Sequence, residues 1–236
     1  MVKGVNFDSY RDTGDPVFAS RVYNSQYVDE LVFLDIDATN EGRETNAEII
    51  ERVSKECFMP LTIGGGINSI QTIRKLLHSG ADKVVINSAA YSVPELITQG
   101  AEMYGSQCIV LGVDVKKENG TYVLYKNSGK VKCDVFLLDH IKNMVKLGAG
   151  EVFLNDISND GKMSGYDHEL IKLVSQSVNV PVVACGGAGN FKHLEDAFVE
   201  TGVDALAMAS IYHFGDNNPI RARSYLMNHH IEIKRV

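Results

Sequence analysis

LTIGGG at residues 61–66 follows Pro60, and VVACGG at residues 182–187 follows Pro181. Each is a short apolar run with the length and composition of a buried strand, and each ends in glycines. The surroundings repeat as well. VFLD at 32–35 returns as VFLN at 152–155, and GADKVVINSAA at 80–90 returns as GVDALAMASIY at 202–212, always at an offset near 120 residues. One half of the chain is therefore written twice. Two four-unit βα halves closing on each other predict an α/β fold of the (βα)8 TIM-barrel class.

Working outward, seven strand-like runs alternate with amphipathic stretches: ELVFLDI, MPLTI, DKVVIN, CIVLGVDV, EVFLNDI, VPVVAC and DALAMA. Helices are expected near 16–27, 44–55, 69–79, 93–104, 135–147, 168–177, 191–201 and 220–228, several behind a capping residue such as Asp15 or Ser69. Pieces at 121–126 and 131–136, around Asn127, Ser128 and Gly129, predict a hairpin inserted after a strand that ends at Asp114.

A chain of 236 residues with 44% hydrophobic content is long enough for one sizeable core, so a single domain is expected, with half-barrels at about 1–105 and 106–236. The net charge of −7 argues against nucleic acid or an anionic membrane as a partner. No basic leader or long apolar run stands out, and a cytoplasmic location is expected. Cys57, Cys108, Cys133 and Cys185 are far apart and read as free thiols; His229 and His230 lack a third ligand at metal spacing. Neither a metal nor an organic cofactor is expected.

Glycines behind a strand let backbone amides approach an anion, and the following helix adds its positive end. One candidate phosphate cradle joins Gly64, Gly65 and Gly66 to Asn87 and Ser88; the other joins Gly186, Gly187 and Gly189 to Ala209 and Ser210. A tight turn alone also requires glycine, but two matching runs point to a ligand with a phosphate at each end, or to a duplication with one site still in use. Between them Asp35, Asp37, Asn87, Asp114, Asn155, Asp156 and Asp160 fall at strand C-terminal ends, where barrel chemistry occurs. Asp37, Asp156 and Asp167 read as caps or anchors. Asp114 closes the apolar run IVLGVD, which aims a carboxylate into the mouth with its pKa tuned toward neutrality.

These motifs, with VKGVNF at 2–7, GDP at 14–16, GGGI at 64–67, GAGE at 148–151, SGYD at 164–167, GGAG at 186–189 and HF at 213–214, make the chain resemble the cyclase subunit of imidazole glycerol phosphate synthase, HisF, over essentially its whole length. The resemblance implies a barrel that takes ammonia from a HisH-type glutaminase subunit. It condenses ammonia with a ribulosyl aminoimidazole nucleotide phosphorylated at both ends, giving imidazole glycerol phosphate and an aminoimidazole carboxamide ribotide. It also implies that Asp114 is one of two acid/base aspartates and Lys3 the lysine of a mobile loop over the site. Asp35, Asn87 and Asp160 then surround the substrate, and Gly65, Gly66, Ser88, Gly161, Gly186, Gly187, Ala209 and Ser210 hold phosphates. At the N-terminal end Glu30, Lys83 and Glu151 match an ammonia gate, with Asp82 at the glutaminase interface; spacing alone makes them a solvated ring of ion pairs.

CIVLGVDV at 108–115, moved back by about 120 positions, falls before Met1. The first strand is thus expected to be absent, and with it the family's second aspartate and an arginine of the gate, which predicts poor catalysis from two carboxylates reduced to one. The chain departs further at Ser158 and Asn159, where the family carries an acidic–basic pair. KECFMPL at 55–61 and ACGGAGN at 184–190 resemble HisF paralogues associated with amidating surface-polysaccharide sugars, for which the acceptor is a nucleotide-linked sugar acid. A non-catalytic barrel that only docks a glutaminase is a third reading. The sister isomerase HisA, on the same plan, fits less well the hairpin after Asp114 and the SGYD loop.

Overall fold

The computed structural model describes residues 1–234. A hairpin opens the chain, β1 (Val2–Val5) against β2 (Asp8–Asp12), and α1 (Pro16–Ser25) follows. Strands and helices then alternate through β3 (Leu31–Leu34), α2 (Ala47–Ser54), β4 (Leu61–Gly64), α3 (Ile70–His78), β5 (Lys83–Ile86), the short α4 (Ser88–Ser92) and α5 (Glu95–Tyr104). Next, β6 (Ile109–Glu118) runs into a hairpin with β7 (Thr121–Lys126) and β8 (Val131–Lys132). The remainder is α6 (Leu137–Lys146), β9 (Glu151–Asp156), α7 (His168–Ser175), β10 (Val182–Cys185), α8 (Phe191–Thr201), β11 (Ala205–Ala207), the short α9 (Ser210–His213) and α10 (Pro219–Asn228).

The expected helix starts are present for the expected reason. Asp15 accepts from the amides of Val17 and Phe18 ahead of Pro16, and Ser69 accepts from Thr72, so each helix gains a partner for amides it cannot satisfy itself. Three features differ from the sequence reading. β6 does not end at Asp114 but continues to Glu118, because residues 114–118 pair antiparallel with β7. The β1–β2 hairpin, and the short α4 and α9, carry no periodic pattern long enough to reveal them.

Seven strands form one parallel sheet in the order β11, β10, β9, β6, β5, β4, β3, with β7 and β8 attached beyond β6. Alternation along each strand sends successive side chains to opposite faces. Val84 and Ile86, Leu111 and Val113, and Val152 and Leu154 pack under the helices in the main core. Val85, Val110 and Phe153 point the other way and form a small inner cluster with Val32, Val183, Cys185 and Ala207. In register, Thr62 lies beside Lys83, Val110 beside Glu151, and Asp114 beside Asn155. The inner face therefore has three tiers: charged at the N-terminal ends, apolar in the middle and polar at the C-terminal ends.

β3 and β11 are not paired with each other, and they are the least covered of the parallel strands: all of β11 is half-buried, and Leu34 is 37% exposed. A cavity of about 1260 Å3 runs from the C-terminal ends of the strands past both edges, where Tyr23, Tyr212, Ala222 and Leu226 line it. No helix among the described residues is long and apolar enough to cross a membrane. Ile86 is fully buried between β5 and the helices. Ile86→Ala is expected to lower stability by about 2–5 kcal/mol, read as a shifted urea midpoint, whereas Val32→Ala on the half-covered β3 should cost less.

Candidate active site at the C-terminal ends of the strands

Asp114 stands where β6 leaves the sheet, its carboxylate accepting from the Asn155 amide on β9 at 3.4 Å. Burial raises its pKa to about 7; donation from Asn155 and Asn87 opposes that rise, and the charge of Asp160 adds to it. A carboxyl poised there can both take and return a proton near neutral pH. The side-chain oxygens of Asn87 and Asn155 are buried with no partner among the described residues, and both residues line the cavity. Such acceptors are costly to bury unpaired, and at a cavity wall they mark where a ligand's donors fit.

Asp37 lines the cavity with no side-chain hydrogen bond among the described residues, so it does not act as the expected side-chain cap; the other acids of the mouth are committed. Asp35 is gripped by Arg43 through two hydrogen bonds, 2.6 and 3.0 Å, and also accepts from the Ala38 amide. Asp160 is buried, its side chain bonded to the Lys3 ammonium and its carbonyl accepting from the Asn6 amide at 2.9 Å. That pair ties the β1–β2 hairpin down over the loop carrying Gly161. Asp156 is held by the Asn159 side chain at 2.7 Å and the Ser158 amide at 2.9 Å, while Asp167 caps α7. Sequence reading missed Arg43: no pattern announces that a loop arginine eight residues on will clasp Asp35.

The glycine runs behave alike. Gly65 has φ 107° and Gly186 has φ 105°, a region that side chains avoid, and a Cβ would lie 2.2 Å from the Asp35 carbonyl in one and 2.5 Å from that of Asp156 in the other. Each turn therefore packs on the loop of the preceding strand, and Gly66 and Gly187 follow directly. The long helices behind them have their own caps, Ser69 and Asn190. The short α4 and α9, which start at Ser88 and Ser210 after Asn87 and Ala209, have no side-chain cap. The buried Ser210 hydroxyl is without a partner among the described residues, and Ser88 Oγ accepts from the Asn127 amide at 3.0 Å.

At the opposite end Lys83 bridges Glu30 and Glu151, at 2.7 Å to each, and Thr62 donates to Glu30. Burial pulls the Lys83 pKa down, but the two carboxylates outweigh it and the net shift is upward; burial pushes Glu151 up against the pull of Lys83. The three side chains are only 13–25% exposed, so this is a tight inner cluster. Asp82 accepts from the Leu61 amide at 2.8 Å, as Asp204 does from Val182 at 2.9 Å. The four cysteines are free, and among the described residues no group of His, Cys, Asp or Glu is arranged to hold a metal ion.

A parallel α/β sheet of the TIM-barrel type, with a near-neutral carboxylate at the C-terminal ends of its strands, defines a barrel enzyme. The sequence profile described as "Histidine biosynthesis protein" matches residues 1–218. The chain is 45% identical over 236 residues to imidazole glycerol phosphate synthase subunit HisF of Bacillus subtilis, covering 99% of this chain and 94% of that one. It is 44% identical over 234 residues to the protein of the same name in Chlorobium limicola, covering 99% and 93%. This chain belongs to the histidine biosynthesis protein family.

Folding raises the pKa of Asp114, so the carboxyl is protonated in the native state at a pH where the unfolded chain has already ionised. Its contribution to stability is therefore lost as pH climbs from about 4 to about 7 and stays lost above. Relative to wild type, Asp114→Asn should gain on the order of 3–5 kcal/mol across that window and level off beyond it, measured by urea unfolding at a series of pH values.

Proposed function

We propose that this chain is the cyclase subunit of imidazole glycerol phosphate synthase, a lyase of histidine biosynthesis, working on ammonia delivered by a HisH-type glutaminase. The ribulosyl aminoimidazole carboxamide nucleotide lies across the C-terminal ends of the strands. Its phosphates occupy the two glycine turns, one at Gly65, Gly66 and Ser88, the other at Gly161, Gly186, Gly187, Ala209 and Ser210. Ammonia condenses with the ribulosyl ketone, water leaves, and ring closure releases imidazole glycerol phosphate and the aminoimidazole carboxamide ribotide. Asp114 moves protons in these steps, with Asn87 and Asn155 orienting the reacting centre and Asp35 and Asp160 shaping the pocket through Arg43 and Lys3. Lys3 on the β1–β2 hairpin covers the site.

The carrying observation is Asp114, a carboxyl titrating near 7 beside two unpartnered amide oxygens in the cavity. The naming of the relatives as a subunit fits a glutaminase docked at the N-terminal ends, with Asp82 near the contact and Glu30, Lys83 and Glu151 as the gate ammonia passes. The matched turns at Gly65 and Gly186 support a single domain of two half-barrels, about 1–105 and 106–236. The half-covered edges of β3 and β11 support an eighth strand between them, to which the family resemblance assigns a second carboxylate.

One observation favours a second acceptor. The loop before Asp160 sends no side chain into the cavity: Asn159 bonds Asp156, and the Ser158 hydroxyl accepts from the Lys117 amide at 2.9 Å. With the family's acidic–basic pair thus replaced, a nucleotide-linked sugar acid becomes the alternative amide acceptor for the same ammonia-fed barrel.

The test supplies the bisphosphorylated nucleotide and ammonium salt to this chain and to a version extended by an N-terminal strand bearing an aspartate. Imidazole glycerol phosphate should form, faster from the extended version, and Asp114→Asn should lower the rate by about 100-fold or more. No product from either, with amidation of a nucleotide-sugar acid instead, would replace the first reading by the second.

A further inference from the structure

Three cationic side chains line the mouth of the cavity: Lys3, Arg43 and Lys126. Two are neutralised, Lys3 by Asp160 and Arg43 by Asp35 and Glu41. Lys126 is half-buried at the end of β7, yet among the described residues it has neither a carboxylate within 4.0 Å nor a side-chain hydrogen bond. In a chain of net charge −7, a lysine lining the mouth with no carboxylate partner among the described residues keeps its full charge available to an incoming anion.

The turn that follows fixes its place. Asn127 and Ser128 both adopt left-handed backbone, φ 54° and 56°, ahead of Gly129. This conformation is held from outside: the Asn127 amide donates to Ser88 Oγ at 3.0 Å, and the Ser128 hydroxyl donates to the Ile36 carbonyl at 2.5 Å. The hairpin tip is thus pinned to the start of α4 on one side and to the loop after β3 on the other, the two segments that flank Gly65 and Gly66. The charge of Lys126 is felt at Cys133, opposing the rise that burial gives that thiol, and Cys133 contacts Tyr91 on α4.

We propose that Lys126 is a specificity-determining residue that binds the phosphate monoester at the Gly66 and Ser88 end of the substrate, an assignment that rests on the phosphate reading of that turn. A lysine there acts as a point charge on a flexible stem, adding attraction without dictating the angle of approach. Because it meets the phosphate in ground state and transition state alike, its contribution lies in binding rather than in the chemical step.

The experiment compares wild type, Lys126→Met and Lys126→Arg. With the bisphosphorylated nucleotide and ammonium, Lys126→Met should raise KM about 10- to 100-fold while kcat stays within about 3-fold, and Lys126→Arg should recover most of the loss. Titration with inorganic phosphate should weaken in parallel in Lys126→Met, with matching circular dichroism excluding a folding defect. An unchanged KM together with unchanged phosphate binding, or a fall in kcat alone, would overturn the assignment. Should neither wild type nor the version extended by an N-terminal strand turn over the nucleotide, the cyclase reading fails on its own, and the phosphate titration of the three proteins still decides the role of Lys126.

Discussion

The parallel ladder between β6 and β9 is the interaction on which the rest depends. It sets Val110 beside Glu151, Gly112 beside Phe153 and Asp114 beside Asn155, so one register carries a charge, an aromatic plug and a near-neutral carboxyl up the inner face in order. A slip of one residue would turn all three outward and bring Leu111 and Val113 into the lumen. The outward residues, buried in the main core, make such a slip prohibitively costly. The position of the chemistry is thus enforced by apolar packing on the far side of the sheet.

Above that ladder the loops hold one another by close backbone approach at the glycine turns and by a few long-range side-chain bonds. The turn at Gly65 rests on the carbonyl of Asp35, and the turn at Gly186 on that of Asp156. The β1–β2 hairpin is pinned by Lys3 to Asp160, and the β7–β8 tip by Asn127 and Ser128 to two neighbouring loops. Gly129 lies against the Phe7 ring, so the two hairpin tips meet over the mouth. Each tip is built from residues in left-handed backbone, including Asn6 and Phe7, a conformation that persists only where surrounding contacts over-determine it.

Much of this was legible in the sequence where the signal was local or periodic. The seven strands, the long helices and the capping residues followed from alternation, from helical periodicity and from the residues before each helix. Asp114 could be singled out because it closes an unbroken apolar run. What was illegible joins residues far apart in the chain: Lys3 with Asp160, Arg43 with Asp35, Asn127 with Ser88. The short α4 and α9 have too few residues for any period, and the end of β6 is hidden because its polar tail, Lys116–Glu118, pairs only with the hairpin. Asp82, matched to an interface by resemblance, also has a backbone partner at the start of β4, a role that spacing cannot reveal.

The apolar middle tier of the inner face has a consequence for what can move along the lumen. Val85, Val110 and Phe153, with Val32 and Val183, offer no hydrogen-bond partner between the Lys83 cluster at one end and Asp114 at the other. An ion entering this belt would shed its hydration without replacement, at a penalty of several kcal/mol, while an uncharged solute of the size of water would meet no such barrier. The belt therefore discriminates against charge, favouring the neutral form of any titratable solute over its ion.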